Sequence, residues 1–147
     1  MTNAQTIMLV EDNEDDVFMM KRALKSAEVV NPLQIAQDGQ EALDYLHGSG
    51  NFADRTAHPL PALVLLDLKL PFVRGLDVLA RLRSDERFES IIVVVLTSSE
   101  EPSDLRNAYR LGANSYLVKP PTPGQLEELA KAFKLYWLEF NKSLVQN

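Results

Sequence analysis

Four consecutive apolar residues, at positions 63–66, are followed directly by an aspartate, Asp67. An apolar run without alternation is typical of a strand that is buried on both faces of a parallel sheet. A carboxylate inside such a strand would be costly to desolvate, but at the strand's carboxyl end it lies in the crevice where open α/β sheets bind ligands. Pro71 cannot continue a central strand, so a loop begins before it. Asp67 is therefore either a site residue or a helix cap, and both interpretations stay open on this stretch alone.

The same unit recurs along the chain, an apolar run followed by polar residues and then by a helical pattern. The other predicted strands are residues 6–10, 33–37, 91–96 and 115–118. Apolar spacing predicts helices that begin at Asp15 or Asp16, after Gly39, at Gly75, at Pro102 and at Pro123, the last one ending near Asn141. Alternating units of this size predict an α/β fold, a doubly wound five-stranded parallel sheet with five helices on its two faces. Residues 47–61 form an unusually long connection.

Composition narrows the class of protein. With 147 residues, 46% of them hydrophobic and 24% charged, the chain predicts one globular domain over residues 1–147, with a core from about 6 to 140 and a short C-terminal tail. A net charge of −6 and the lack of a basic cluster disfavour nucleic acid as a partner. No apolar stretch is long enough for a membrane span and no signal segment is present, so we expect no membrane partner and a cytoplasmic location. Absence of cysteine excludes thiolate metal sites.

Residues capable of chemistry follow four of the five predicted strands. They are Glu11 and Asp12, Asp67, Thr97 and Lys119. Because the carboxyl ends of neighbouring parallel strands meet at one edge, we expect these side chains to converge. Clustered acids repel unless a cation stabilises their ionised forms, and all-oxygen ligands favour Mg²⁺, with Mn²⁺ as the alternative, over zinc. Mg²⁺ in proteins commonly meets one or two carboxylates together with phosphate oxygens, so a phosphoryl ligand is implied.

In such a cluster each residue gains a chemical role. Asp67 can attack phosphorus as a nucleophile, Lys119 can pair with one phosphoryl oxygen, and Thr97 can hydrogen-bond another. Each also has a plainer alternative: Lys119 as a surface residue, Thr97 as a helix cap, and Glu11 with Asp12 as turn acids. Their joint placement favours the chemical roles.

The chain resembles the receiver domain of two-component response regulators over roughly residues 6–140. The motifs that carry the resemblance are Val10-Glu11-Asp12-Asn13, Leu65-Leu66-Asp67-Leu68 with Leu70-Pro71 and Gly75, Leu96-Thr97-Ser98-Ser99, and Tyr116-Leu117-Val118-Lys119-Pro120. The resemblance implies the flavodoxin-like receiver fold, Asp67 as phospho-acceptor, and Glu11 and Asp12 as the acidic metal pair. It further implies that the Lys69 backbone carbonyl binds the metal, that Lys119 contacts the phosphoryl group, that Thr97 and Tyr116 form a switch pair, and that the Lys119–Pro120 peptide is cis.

Some positions depart from the commonest family pattern, with Glu11 in place of a first aspartate, Phe72 where small residues are frequent and Arg74 where an acid is common. The long loop at 47–61 and the extended final helix are similar to stand-alone regulators that work with phytochrome-type histidine kinases. A histidine kinase, phytochrome-like by this similarity, is thus the expected partner. His47 and His58 are interpreted as surface residues rather than phosphate donors.

The final helix also predicts a homodimer. Leu126, Leu129, Ala130, Phe133, Trp137 and Phe140 follow helical spacing and are expected to face the sheet, which leaves Leu135, Tyr136, Leu138 and Leu144 off that stripe. An exposed apolar patch often marks a partner surface. The plainer alternative is that the helix end packs around the domain edge.

Two other functions fit the sequence less well. A metal-dependent phosphatase of one familiar design carries a second acid two residues after its aspartate, where this chain has Lys69, so we expect a signalling protein and not an enzyme acting on outside substrates. A flavin binder needs a phosphate-cradling loop after the first strand, where this chain is acidic. A phosphorylation-independent scaffold with the same fold remains the open alternative.

Overall fold

The computed structural model describes residues 5–145, and within them five parallel strands form one sheet. The strands are β1 (Ile7–Val10), β2 (Leu33–Ala36), β3 (Leu63–Leu66), β4 (Ile92–Thr97) and β5 (Ser115–Val118), in the order β2-β1-β3-β4-β5. The helices are α1 (Glu14–Ser26), α2 (Gly39–His47), α3 (Gly75–Ser84), α4 (Pro102–Arg110) and α5 (Pro123–Phe133). Short 3-10 turns occupy Gly50–Phe52 and Glu86–Phe88, and a π-helix, Lys134–Phe140, follows α5. The predicted doubly wound fold is confirmed.

Both faces of the sheet are covered, which explains the uninterrupted apolar runs. Along β1, Met8 and Val10 join a core with residues of α2, α3 and α4, while Ile7 and Leu9 join a second core with residues of α1 and α5. All four are at most 4% exposed. Successive side chains of a strand point to opposite faces, so a strand covered on both faces needs an apolar residue at every position.

Helix α1 begins earlier than the sequence predicted. Its N-cap is Asn13, whose Oδ1 accepts a hydrogen bond from the backbone N–H of Asp16 at 3.0 Å. The prediction of Asp15 or Asp16 as the first helical residue was wrong because an asparagine side chain already satisfies the free N–H groups of the first turn.

The last helix changes its winding after Phe133. In the π-helix, the backbone N–H of Asn141 donates to the carbonyl of Tyr136, five residues back, at 2.8 Å. The wider turn shifts every later side chain relative to the 3.6-residue pattern. Leu138 is therefore half-buried against the core of α1 and α5, and Phe140 is 71% exposed, so the predictions for these two residues were wrong.

The segment after the π-helix belongs to the core, although the sequence predicted a tail beyond residue 140. Val145 is 6% exposed and joins the core on the side of α2 and α3. Its carbonyl accepts a hydrogen bond from Nε2 of Gln5. Residues 141–145 lie against the domain because Val145 buries its apolar side chain and its carbonyl satisfies Gln5 near the start of β1.

The long connection at 47–61 is closed by its own side chains. Arg55 donates to the carbonyls of Tyr45 and His58, and the ring of His58 contacts the rings of Tyr45 and Phe52 edge-on at 5.8 and 5.3 Å. His58 is half-buried, so its prediction as a surface residue was wrong, whereas His47 is exposed as expected. The loop is folded because aromatic burial compensates for its length.

Among the described residues, no helix is both long and apolar enough to cross a bilayer.

Candidate functional site

The predicted site residues meet at the carboxyl edge of the sheet. Val10 of β1 is the register partner of Leu66 in β3, so Glu11 and Asp67, the next residues, leave two adjacent strands side by side. The strand order reverses here, since β2 lies on one side of β1 and β3 on the other. Such a reversal opens a crevice between the loops, the usual ligand site of open α/β sheets.

The backbone around Asp67 is held tightly. Its N–H donates to the carbonyl of Val10 at 3.1 Å, and its Oδ1 accepts from the N–H of Lys69 at 3.2 Å. A Cβ atom on Gly75 would lie 2.2 Å from the backbone oxygen of Asp67, so only glycine allows this close approach of α3. The N-cap position of α3 is Arg74, and thus the alternative of Asp67 as a helix cap was wrong.

Three carboxylates form a cluster suited to a divalent cation. One oxygen from each of Glu11, Asp12 and Asp67 lies within 4.8 Å of the others. Glu11 and Asp67 are 4% and 6% exposed, whereas Asp12 opens to solvent. Oxygen-only ligands with one exposed side match the preference of Mg²⁺ and Mn²⁺ for a few carboxylates plus water and phosphate oxygens. The residues present fit such an ion.

Lys119 lies at the centre of a ring of acids. Its Nζ donates to Glu11 Oε1 at 2.5 Å, to Asp16 Oδ2 at 2.9 Å and to Asp67 Oδ2 at 3.1 Å. An ammonium has three N–H groups, so each of them has a carboxylate acceptor. Lys119 therefore supplies the positive charge that lets these acids lie together.

Burial and charge shift the protonation of two groups here. Burial, together with the nearby charge of Asp67, raises the pKa of Glu11 from 4.5 to about 7, although the hydrogen bond from Lys119 opposes this shift. Burial alone would lower the pKa of Lys119, but hydrogen bonds to Glu11 and Asp16 and the charge of Asp67 outweigh it and raise that pKa above its usual value. Lys119 is thus a permanent cation.

Thr97 and Tyr116 are connected through Ser99. Thr97 is fully buried at the end of β4, and its Oγ1 accepts from the N–H of Ser99 at 3.4 Å. The hydroxyl of Tyr116 donates to the carbonyl of Ser99 at 3.0 Å. Burial raises the pKa of Tyr116, so its hydroxyl stays a neutral donor. Ser99 therefore contacts both side chains, Thr97 through its N–H and Tyr116 through its carbonyl.

Known proteins resemble this chain in sequence and in overall fold. Residues 7–131 match the response regulator receiver domain. The chain belongs to this family. Receiver domains are signalling proteins that act with histidine kinases and are generally not enzymes, which agrees with the expected class.

Three relatives of this receiver domain match almost from end to end. The probable methanogenesis regulatory protein FilR2 of Methanothrix harundinacea is 41% identical over 93% of this chain and 86% of its own. Response regulator Rcp1 of Synechocystis is 34% identical over 92% and 90%, and its Mn²⁺-bound crystal structure superposes with a TM-score of 0.87 over 96% of this chain and 99% of that one. The phosphorylated cyanobacterial phytochrome response regulator RcpA is 34% identical, with a TM-score of 0.90 over 97% and 99%.

Some features of this receiver domain differ from the sequence predictions or were missed. No cis peptide occurs within residues 5–145, so the expected cis form of Lys119–Pro120 was wrong; the trans form is the more stable one for most such bonds. Asp16 was predicted only as a helix start, and its contact with Lys119 joins residues 103 positions apart. The metal-binding role of the Lys69 carbonyl stays a prediction.

Proposed function

We propose that the chain is a single-domain response regulator that accepts a phosphoryl group on Asp67 from a histidine kinase and signals through protein contacts. The observation that carries this proposal is the position of Asp67. Its two carboxylate oxygens are held by different donors, Oδ1 by the Lys69 N–H and Oδ2 by Lys119, within the acidic cluster. Few structural roles would place a buried aspartate in such surroundings.

Glu11, Asp12, Asp67 and the backbone carbonyl of Lys69 are the proposed ligands of Mg²⁺, with Mn²⁺ as the alternative. A divalent cation held by these residues would neutralise carboxylate charge and help to bind phosphoryl oxygens beside Asp67. The Mn²⁺-bound state of Rcp1, a relative with the same fold, supports this assignment.

The proposed reaction is phosphoryl transfer from a phosphohistidine to Asp67. A carboxylate oxygen of Asp67 forms a bond to the phosphorus of the donor as the N–P bond of the donor phosphohistidine breaks. The departing imidazole keeps the electron pair and takes a proton from solvent. Lys119 compensates the charge on one phosphoryl oxygen, and the hydroxyl of Thr97 donates to another. The product is an aspartyl phosphate on this chain.

Thr97 and Tyr116 are the proposed switch. A hydrogen bond from Thr97 to a phosphoryl oxygen changes the loop through Ser99, whose carbonyl holds the hydroxyl of Tyr116. Phosphorylation then favours a second position of Tyr116, a population shift driven by differential contacts in the two states.

The proposed partners are a histidine kinase of the phytochrome-like type and a second copy of this chain, with the cytoplasm as the location. The likeness to RcpA, a phytochrome response regulator, supports the first. For the second, we define the C-terminal apolar patch as Leu135, Tyr136, Phe140 and Leu144, which are 49%, 59%, 71% and 81% exposed. Exposed apolar side chains gathered near one end of a chain favour association.

The test is metal-dependent labelling. Incubating the protein with phosphoramidate and Mg²⁺, and measuring its intact mass, should show the gain of one phosphoryl group, and a parallel sample in EDTA should stay unlabelled. No label in either sample would favour the phosphorylation-independent scaffold.

A further inference from the structure

Asp16 has no place in the proposed reaction, yet it is bound directly to Lys119. The Nζ of Lys119 lies 2.9 Å from its Oδ2. Of the acceptors of Lys119 within residues 5–145, Glu11 and Asp67 belong to the metal cluster, and Asp16 alone lies outside it.

The start of α1 fixes the position of Asp16. Its N–H is bound to the side chain of Asn13, and its side chain is 46% exposed, whereas Glu14 and Asp15 in the same turn are exposed residues. Acids in the first turn favour a helix through its dipole, and all three supply that charge equally. The contact with Lys119 is specific to Asp16, so the helix dipole does not account for it.

Phosphotransfer changes the partners of Lys119. The oxygens of Glu11 and Asp67 are needed for the cation and for the new O–P bond, so neither stays a full partner of the ammonium. Asp16 is needed for neither and can keep its hydrogen bond throughout. Without it, Lys119 would be attracted only by Glu11 and Asp67, and its charge would compete with the cation for their oxygens.

We propose that Asp16 is a positioning residue. It holds the Lys119 ammonium beside the cluster, so that the oxygens of Glu11 and Asp67 become free to bind the cation and the phosphoryl group. The inference rests on the proposed phosphotransfer, and it assigns no direct contact between Asp16 and the phosphoryl group.

The experiment compares Asp16→Ala with Asp15→Ala, which removes the same charge from the same helical turn. Titration calorimetry without phosphodonor should show Mg²⁺ binding about fivefold weaker in Asp16→Ala and less than about twofold weaker in Asp15→Ala. Labelling by phosphoramidate at saturating Mg²⁺ should also slow about fivefold in Asp16→Ala only. Asp16→Asn, which keeps an acceptor oxygen without the charge, should fall between wild type and Asp16→Ala.

The dependence on Lys119 separates positioning from a general structural role. In a Lys119→Ala background, Asp16→Ala should weaken Mg²⁺ binding no more than Asp15→Ala does, because the group that Asp16 positions is gone. An equal effect of Asp16→Ala with and without Lys119, or equal effects of the two alanine variants in the wild-type background, would overturn the proposal. If wild type binds Mg²⁺ but takes no phosphoryl group, the proposed function fails, and the calorimetric comparison still decides the role of Asp16.

Discussion

Glu11 lies buried directly after β1, and its protonation state is linked to folding. In the folded protein without metal its pKa is about 7, whereas 4.5 is its ordinary value. Between these values the folded chain binds more protons at this site than the unfolded chain does. The contribution of Glu11 to the free energy of unfolding is therefore largest below about pH 4.5, and it is lost as the pH rises to about 7.

The first prediction concerns the effect of Glu11 on how stability changes with pH. In EDTA, the free energy of unfolding of wild type should fall between about pH 4.5 and about pH 7 by more than that of Glu11→Gln, whose amide does not titrate. Urea unfolding followed by circular dichroism measures both proteins across this range. Identical pH dependence in the two proteins would show that Glu11 is not protonated preferentially in the fold.

The site residues show which contacts a sequence can predict. Glu11, Asp12, Asp67, Thr97 and Lys119 could be expected to converge because parallel strands end at one edge. The contact between Asp16 and Lys119 could not, since an acid in the first turn of a helix is common for reasons of charge alone. It depends on where the loop after β5 passes α1, which only tertiary packing decides.

The loop from β3 to α3 takes its shape from Gly75. A Cβ atom there would meet the backbone oxygen of Asp67 at 2.2 Å and the Cα of Leu68 at 2.6 Å. Both are backbone atoms that cannot rotate away. The start of α3 thus braces the residue that we propose as phospho-acceptor.

The second prediction is that Gly75→Ala lowers the free energy of unfolding by about 1–3 kcal/mol, the usual cost of overpacking, and also slows labelling of Asp67 by phosphoramidate. Gly124→Ala is the matched control, because a Cβ at this position of α5 meets nothing within 4 Å. It should leave labelling unchanged and stabilise the protein by up to about 1 kcal/mol. Urea unfolding and intact mass measure the two effects, and equal stability of the two variants would contradict the close approach.

Helical spacing in the sequence predicts the buried face of α5 but only part of that of the π-helix after it. Helical spacing correctly predicted that residues up to Trp137 face the core, with Ala130 and Phe133 buried. The change to a π-helix carries no sequence signal of its own, since it only inserts one residue into the turn. The pattern therefore fails at Leu138 and Phe140.

The two layers of helices leave the C-terminal apolar patch outside both cores. The patch lies in and just after the π-helix that follows α5, and α5 itself packs against α1 and the sheet. If dimerisation through the patch and phosphorylation are linked, each must change the equilibrium constant of the other by the same factor.

The third prediction is that wild type self-associates through this patch. Phe140→Glu should sediment as a monomer at concentrations where wild type is a dimer, because a charge would be desolvated in the interface. Val30→Glu is the control: Val30 is 85% exposed but lies between α1 and β2, outside the patch. Sedimentation velocity with and without a phosphoryl analogue measures all three, and monomers in every sample would exclude the dimer.

The most direct test of phosphorylation on Asp67 is the intact mass of wild type and Asp67→Asn after incubation with phosphoramidate and Mg²⁺. The substituted amide would keep the shape of the side chain and the hydrogen bond from the Lys69 N–H but would lack the nucleophilic carboxylate. Wild type should gain one phosphoryl group, and Asp67→Asn should gain none. Equal labelling of the two proteins would contradict the assignment and place the phosphoryl group on another residue.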